Sequence, residues 1–198
     1  MSKRKNATTG QTAGGTPEQP LMVEPVVVSM EKLREPRFSH ADTLYITGLT
    51  SEQLLTWHKR GVLANIAAGS ASAGQGRGIR KKYCFLDLWY LTLMKELTEA
   101  CVPLVVAALR VVTLTPAFRA IVETRETLKQ AERHGNMQML LVVYRSNDRI
   151  EFDLLSNDSD MNQVDVHEWM RGKNIRRVAV IDLIGVYIHL MAKVLERR

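Results

Sequence analysis

The chain has 198 residues, of which 45% are hydrophobic and 24% are charged, a composition that excludes disorder over the whole length. The formal net charge of +6 and an isoelectric point near 9.5 favour a polyanionic partner, either nucleic acid or a membrane surface. This length admits one domain or two small ones.

The two cysteines and the N-terminus exclude several protein classes. Cys84 and Cys101 are too few for a disulfide scaffold, and no apolar run follows the basic N-terminal residues as in a signal peptide. No stretch approaches the roughly 20 apolar residues that a transmembrane helix needs. We therefore expect a cytoplasmic protein that does not contact a membrane.

Residues 1–36 are rich in Thr, Gly, Gln and Pro, and Pro25 interrupts their single apolar island. This composition predicts a disordered tail. Its basic start is compatible with a nucleic-acid contact or with a solubilising terminus.

Residues 38–63 predict two short helices joined by a tight turn. Ser39 and Thr50 each precede, by three residues, a side chain that can complete a capping box. Between them, Gly48 can adopt the left-handed conformation that ends a helix. The pattern predicts a helix-turn-helix.

The second helix of this pair has an apolar side and a polar side. Leu54 and Trp57, three residues apart, can anchor it to a core. The polar side is then available for the major groove, although it is also compatible with a simple solvent face. The candidate DNA-contacting residues on this helix are Ser51, Gln53, Thr56, Lys59 and Arg60.

A glycine-rich loop, residues 67–81, follows this helix pair. An extended piece at residues 61–63 and a second one at residues 81–85 predict a hairpin with this loop at its tip, which is called a wing. Cations in such a loop can reach phosphate oxygens or can simply be solvated, and no phosphate-binding P-loop spacing is present. The candidate DNA-contacting residues here are Arg77, Arg80, Lys81, Lys82 and Tyr83.

Apolar positions from Leu86 to Cys101 follow helical spacing, with Asp87 in the first turn where the helix dipole favours an anion. This helix should end before Pro103, which can take the first position of another helix. The aromatic residues of this region are expected in the core.

In order and spacing, these pieces resemble the DNA-binding domain of the MerR family of bacterial transcription regulators, over Phe38 to Thr115. The matching pieces are ITGLT at 46–50, Leu54 with Trp57, Gly61-Val62-Leu63, Arg80-Lys81-Lys82-Tyr83 with Asp87, and Lys95-Glu96-Leu97 before the turn at 100–103. The resemblance implies a cytoplasmic homodimer that binds a palindromic promoter through the second helix and the wing. Leu55 and Thr56 stand where the family usually has an arginine and an aromatic residue.

Residues 116–198 predict a small α/β domain. A helix opens at Thr115-Pro116 and extends to about His134, two strands at 139–144 and 149–155 form a hairpin, and a third strand at 177–181 precedes a final helix. The last helix is apolar over a broad face, which predicts contacts with the sheet on one side and a second subunit on the other, or complete burial in its own domain.

No metal or cofactor is expected. The chain has no cysteine after Cys101, which disfavours thiolate metal sensing, and the calcium-loop-like start at Asp158 lacks the required glycine and glutamate. No catalytic spacing of Ser, His and Asp is recognisable, so we predict that the chain is not an enzyme.

Together these features predict an α+β protein with three segments. Residues 1–36 form the tail, 37–115 a MerR-like winged helix-turn-helix domain that binds double-stranded DNA, and 116–198 a small C-terminal α/β domain for dimerisation or for sensing an effector or protein partner. The predicted function is that of a sequence-specific transcription regulator acting as a homodimer. The alternative is a protein-interaction module on the same scaffold without specific DNA binding, which an exposed Leu55 would favour.

Overall fold

The computed structural model describes residues 29–64, 66, 82–131, 138–146, 149–156, 166–171, 175 and 177–197. Over these ranges the protein is an α+β fold of helices and a three-stranded antiparallel sheet. The helices are α1 Met30–Arg34, α2 His40–Thr47, α3 Ser51–Lys59, α4 Phe85–Glu99, α5 Leu104–Thr113, α6 Thr115–Ala131, α7 Val166–Met170 and α8 Leu183–Glu196. The strands are β1 Met139–Ser146, β2 Arg149–Ser156 and β3 Arg177–Asp182.

Both predicted capping boxes are confirmed. At the start of α2, Ser39 Oγ accepts a hydrogen bond from the Asp42 N–H at 3.2 Å, and the Asp42 carboxylate accepts from the Ser39 N–H at 3.0 Å. Thr50 and Gln53 make the same pair of bonds at the start of α3, at 3.1 and 2.9 Å. Gly48, with φ of +66°, ends α2 in the left-handed conformation. Local hydrogen bonding therefore sets both ends of the turn between α2 and α3.

A cluster of aromatic side chains forms the centre of the core. Phe118 lies with its ring centroid 4.9 Å from that of Trp89 and 6.1 Å from that of Tyr187, and Phe85 contacts the same group. These residues come from α4, α6 and α8, so the core is continuous across the predicted boundary at residues 115 and 116. The C-terminal helix packs on α2 and α4 as well as on β1.

The predicted hairpin of β1 and β2 is confirmed, and β3 adds to the other side of β1, giving the order β2-β1-β3. Met139, Leu141 and Val143 are buried against the helices, because alternate residues of a strand face the same side. On the opposite face, the ring of Trp169 from α7 lies edge-on to Tyr144, with centroids 5.0 Å apart. The small sheet is thus covered on one face by the helical core and contacted by α7 on the other.

Three local predictions are wrong. Residues 29–36 of the predicted tail are folded, because Ser29 caps α1 and Leu33 is buried against the core. A five-residue helix is too short to show periodicity in sequence. Residues 61–64 form a turn instead of a strand, since Gly61 adopts φ of +69° directly after α3. Pro103 precedes α5 as its cap instead of being its first residue.

None of the described helices is by itself long and apolar enough to cross a membrane. The helix α5 and residues 115–123 of α6 meet the length and composition criteria only as a pair bent by 46°.

Candidate nucleic-acid interface

Helix α3 has one buried side and one exposed side. Leu54 and Trp57 are 0% and 5% exposed, and they fix the side that faces the core. At 100° per residue, the opposite side carries Glu52, Leu55 and Lys59, all exposed, and the half-buried Thr56 lies at the edge of this side next to Glu52. Two of the predicted contact residues, Thr56 and Lys59, therefore lie on the outward side.

Ser51 and Gln53 are exposed but are engaged in local contacts. The Gln53 side-chain carbonyl accepts from the Thr50 backbone N–H at 2.9 Å as part of the capping box, and Ser51 Oγ lies 3.4 Å from His40 Nε2. Gln53 thereby stabilises the first turn of α3, and the contact of Ser51 links α3 to α2. Any contact they make with a partner would use the remaining polar atoms, such as the Gln53 amide NH₂.

Tyr83 is buried and bonded, with only 2% of its surface exposed. Its backbone forms an isolated antiparallel bridge with Phe38, in which each N–H donates to the carbonyl of the other residue, with nitrogen-to-oxygen distances of 2.9 and 2.8 Å. Its hydroxyl lies 3.0 Å from Nε2 of His58 on α3, and burial raises the pKa of the phenol. The side chain of Tyr83 therefore holds α3 and the chain after the glycine-rich loop together, and it does not present a surface to a partner.

Three exposed cations lie close to this junction in sequence. Lys59 and Arg60 end α3, and Lys82 directly precedes Tyr83. Because Tyr83 contacts His58, the backbone at Lys82 lies near α3, the helix that carries Lys59. Arg77, Arg80 and Lys81 lie outside the described residues.

The cations at the end of α3 also have a structural role. Positive side chains in the last turn interact favourably with the helix dipole, and Lys59 occupies that turn. Glu52 in the first turn complements the same dipole at the other end. The charge pattern of α3 thus stabilises the helix and, at the same time, places its cations at the end nearer Tyr83 and its acid at the opposite end.

A polar cluster joins α2 to the end of α8, and the sequence did not reveal it. Arg197 Nε donates to Asp42 Oδ1 at 2.9 Å, and hydrogen bonds from Ser39 and Arg197 lower the pKa of that carboxyl. Tyr45 donates to Glu196 at 3.1 Å, and the cations of Lys193 and Arg197 lie 5.4 and 5.3 Å from the Tyr45 ring centroid. Because the bonded residues are about 150 positions apart in sequence, no local sequence pattern predicts these contacts.

The described residues contain no group of three or more His, Cys, Asp or Glu side chains placed to hold a metal ion. His58 and Phe38 are the junction residues that sequence reasoning did not select. The sequence matches no known protein-family model, and no curated protein is significantly similar to it.

Proposed function

We propose that this protein is a double-stranded DNA-binding transcription regulator of the cytoplasm, with a MerR-like winged helix-turn-helix that acts in a homodimer. The observation that carries the proposal is the junction of Phe38, His58 and Tyr83. At this junction, the residues that follow the cationic, glycine-rich loop are bonded to α3, and the outward side of α3 carries Thr56 and Lys59.

The dimensions of α3 suit a DNA groove. An α-helix with its side chains is about 10–12 Å in diameter, and the major groove of B-form DNA, about 12 Å wide, admits it. With Leu54 and Trp57 toward the core, Thr56 and Lys59 face a bound duplex. Lys59, Arg60 and Lys82 would contact phosphates, which position a protein on DNA without reading its sequence.

Two exposed apolar side chains support a homodimer. Ile188 and Leu195 of α8 are 60% and 61% exposed and lie seven residues apart, on one side of the helix. The other side of α8, which includes Tyr187 and Leu190, is buried in the core. A second copy of the chain covering Ile188 and Leu195 would remove this surface from water.

The test is a fluorescence titration of the full chain against random-sequence duplex DNA at moderate salt. Replacing both Lys59 and Lys82 with Ala should weaken binding to all sequences alike, by about 10-fold or more, because phosphate contacts carry no base information. Arg149→Ala removes one exposed charge from β2, well away in sequence, and should leave the titration unchanged. Absence of binding by the unmodified chain would refute the proposal.

A protein-interaction module is the second candidate, and Leu55 favours it. This side chain is 52% exposed on the outward side of α3, next to the acidic Glu52. An apolar and an acidic side chain suit a protein partner better than a phosphate backbone.

Leu55→Arg separates the two functions. If α3 lies against DNA, the new cation should strengthen duplex binding and steepen its salt dependence by about one unit per subunit. If α3 instead holds a protein, the substitution should give no gain in DNA binding, and that result would favour the second candidate.

A further inference from the structure

A cavity of about 370 Å³ lies between the turn that joins α4 to α5 and the neighbouring end of the sheet. Residues 99–102 of the turn form one wall, and the ends of β1, β2 and β3 form the other. Ligand pockets in proteins usually measure about 300 to 1,000 Å³, so this cavity suits a small organic molecule.

The sheet places two arginines side by side in this cavity. Arg145 of β1 pairs directly with Arg177 of β3 and with Ile150 of β2. Residues that pair across an antiparallel sheet project on the same face, so Arg145 and Arg177, both exposed, lie side by side at the edge of the cavity. An anion bound between Arg145 and Arg177 can accept hydrogen bonds from both guanidinium groups.

The rest of the cavity is largely apolar. Val143 and Ala179 form the next cross-strand pair on the same face, and the buried Val102 contributes from the turn. Glu99 is the one carboxylate among the described lining residues, and it forms an ion pair with Lys95 at 4.0 Å. The lining therefore combines an excess of positive charge with a hydrophobic surface.

We propose that this cavity binds a small organic monocarboxylate. The carboxylate lies between Arg145 and Arg177, whose planar guanidinium groups can donate paired hydrogen bonds to it. The apolar body of the ligand packs against Val102, Val143 and Ile150. Binding itself is independent of DNA, whereas its use as a signal that alters DNA binding rests on the proposed function.

The chain contains its own reporter of occupancy. Cys101 is exposed and lines the cavity, so a bound ligand would shield its thiol from alkylation. Cys84 is buried, and burial raises the pKa of its thiol to about 12. Because the thiolate is the reactive form, alkylation of the folded protein at about pH 8 reports Cys101 alone.

The experiment measures the rate of Cys101 alkylation in the full chain with phenylacetate, benzoate or hexanoate, and with phenylacetamide as the neutral control. At least one carboxylate should slow the reaction several-fold at millimolar concentration, and the amide should not. Arg177→Ala should weaken the protection by about 10-fold or more, since it removes a charge-assisted hydrogen bond. Arg149→Ala, on the same hairpin but outside the lining residues, should leave the protection intact.

Glu99→Gln tests whether the arginines serve an internal ion pair. For a carboxylate site, removing this competing charge should strengthen protection of Cys101. For an internal ion pair, it should lower the thermal midpoint and leave protection unimproved, which would contradict the proposal. Any of three results would overturn the proposal. The first is equal protection by phenylacetamide, and the second is unchanged protection in Arg177→Ala with a native circular dichroism spectrum. The third is no protection by any carboxylate up to about 10 mM, a concentration that corresponds to a binding free energy of about 3 kcal/mol.

Discussion

The cations near α3 and the arginines at the end of the sheet are all exposed, but they lie in different settings. Lys59, Arg60 and Lys82 lie at or next to the junction of α3 with Tyr83. Arg145 and Arg177 are paired across two strands and line a cavity with apolar walls. Exposed cations spread over a surface suit a long polyanion and are strongly screened by salt, whereas paired arginines at the edge of a cavity suit a small anion of defined shape.

This comparison explains how one basic chain can have two kinds of anionic partner. The formal charge of +6 indicates polyanion binding but cannot distinguish a surface that contacts phosphates from a cavity that binds a carboxylate. The distinction comes from where each cation lies in the fold.

The largest expected effect is on DNA binding. Replacing Lys59, Arg60 and Lys82 together with Ala should lower affinity for random duplex DNA at about 0.1 M salt by roughly 100-fold or more, because each lost phosphate contact removes a counterion-release contribution in both subunits. Carboxylate protection of Cys101 should be unchanged. A parallel loss of protection would show that the two regions are one site.

Tyr83→Phe should have a smaller effect, confined to the junction. Losing the 3.0 Å contact with His58 should lower the free energy of unfolding by about 1 kcal/mol, as measured by urea denaturation. DNA affinity should fall several-fold, since the loop is then less firmly held beside α3. Tyr90→Phe, in the same core but bonded to Thr115, is the matched control and should leave DNA affinity unchanged at a similar loss of stability.

Cys101→Gly should slightly stabilise the protein. Cys101 has φ of +64° and lies just after the end of α4. The N–H groups of Cys101 and Val102 donate hydrogen bonds to the carbonyls of Thr98 and Leu97, at 3.0 and 2.9 Å. Left-handed conformation costs a non-glycine residue about 1–2 kcal/mol, and the greater unfolded-state entropy of glycine offsets part of that gain. We expect a net gain of about 0.5–1 kcal/mol with no change in DNA affinity. Cys101→Ala keeps the left-handed strain, so a similar gain there would contradict this account.

Features set by neighbouring residues could be predicted from the sequence. The capping boxes of Ser39 and Thr50, the left-handed Gly48 and the β1–β2 hairpin all depend on spacings of a few residues. Helical periodicity likewise located α4, α6 and α8, because their buried sides are long. The fold class and most helix positions follow from such local rules.

Features set by distant residues could not be predicted. The bridge of Tyr83 to Phe38 joins segments that the sequence assigned to different elements, and it replaces the expected pairing with residues 61–63. The return of α8 to α2 and the pairing of Arg145 with Arg177 require the complete topology. The left-handed conformation of Cys101 could not be predicted either, because cysteine has no preference for that conformation.

The salt dependence of binding to random duplex DNA tests the central claim most directly. If each subunit of a dimer neutralises about four phosphates, the plot of log affinity against log salt concentration should have a slope of roughly −7. A slope near that value, reduced by the triple replacement of Lys59, Arg60 and Lys82, would support a surface that grips the DNA backbone. Binding that does not change with salt would contradict it.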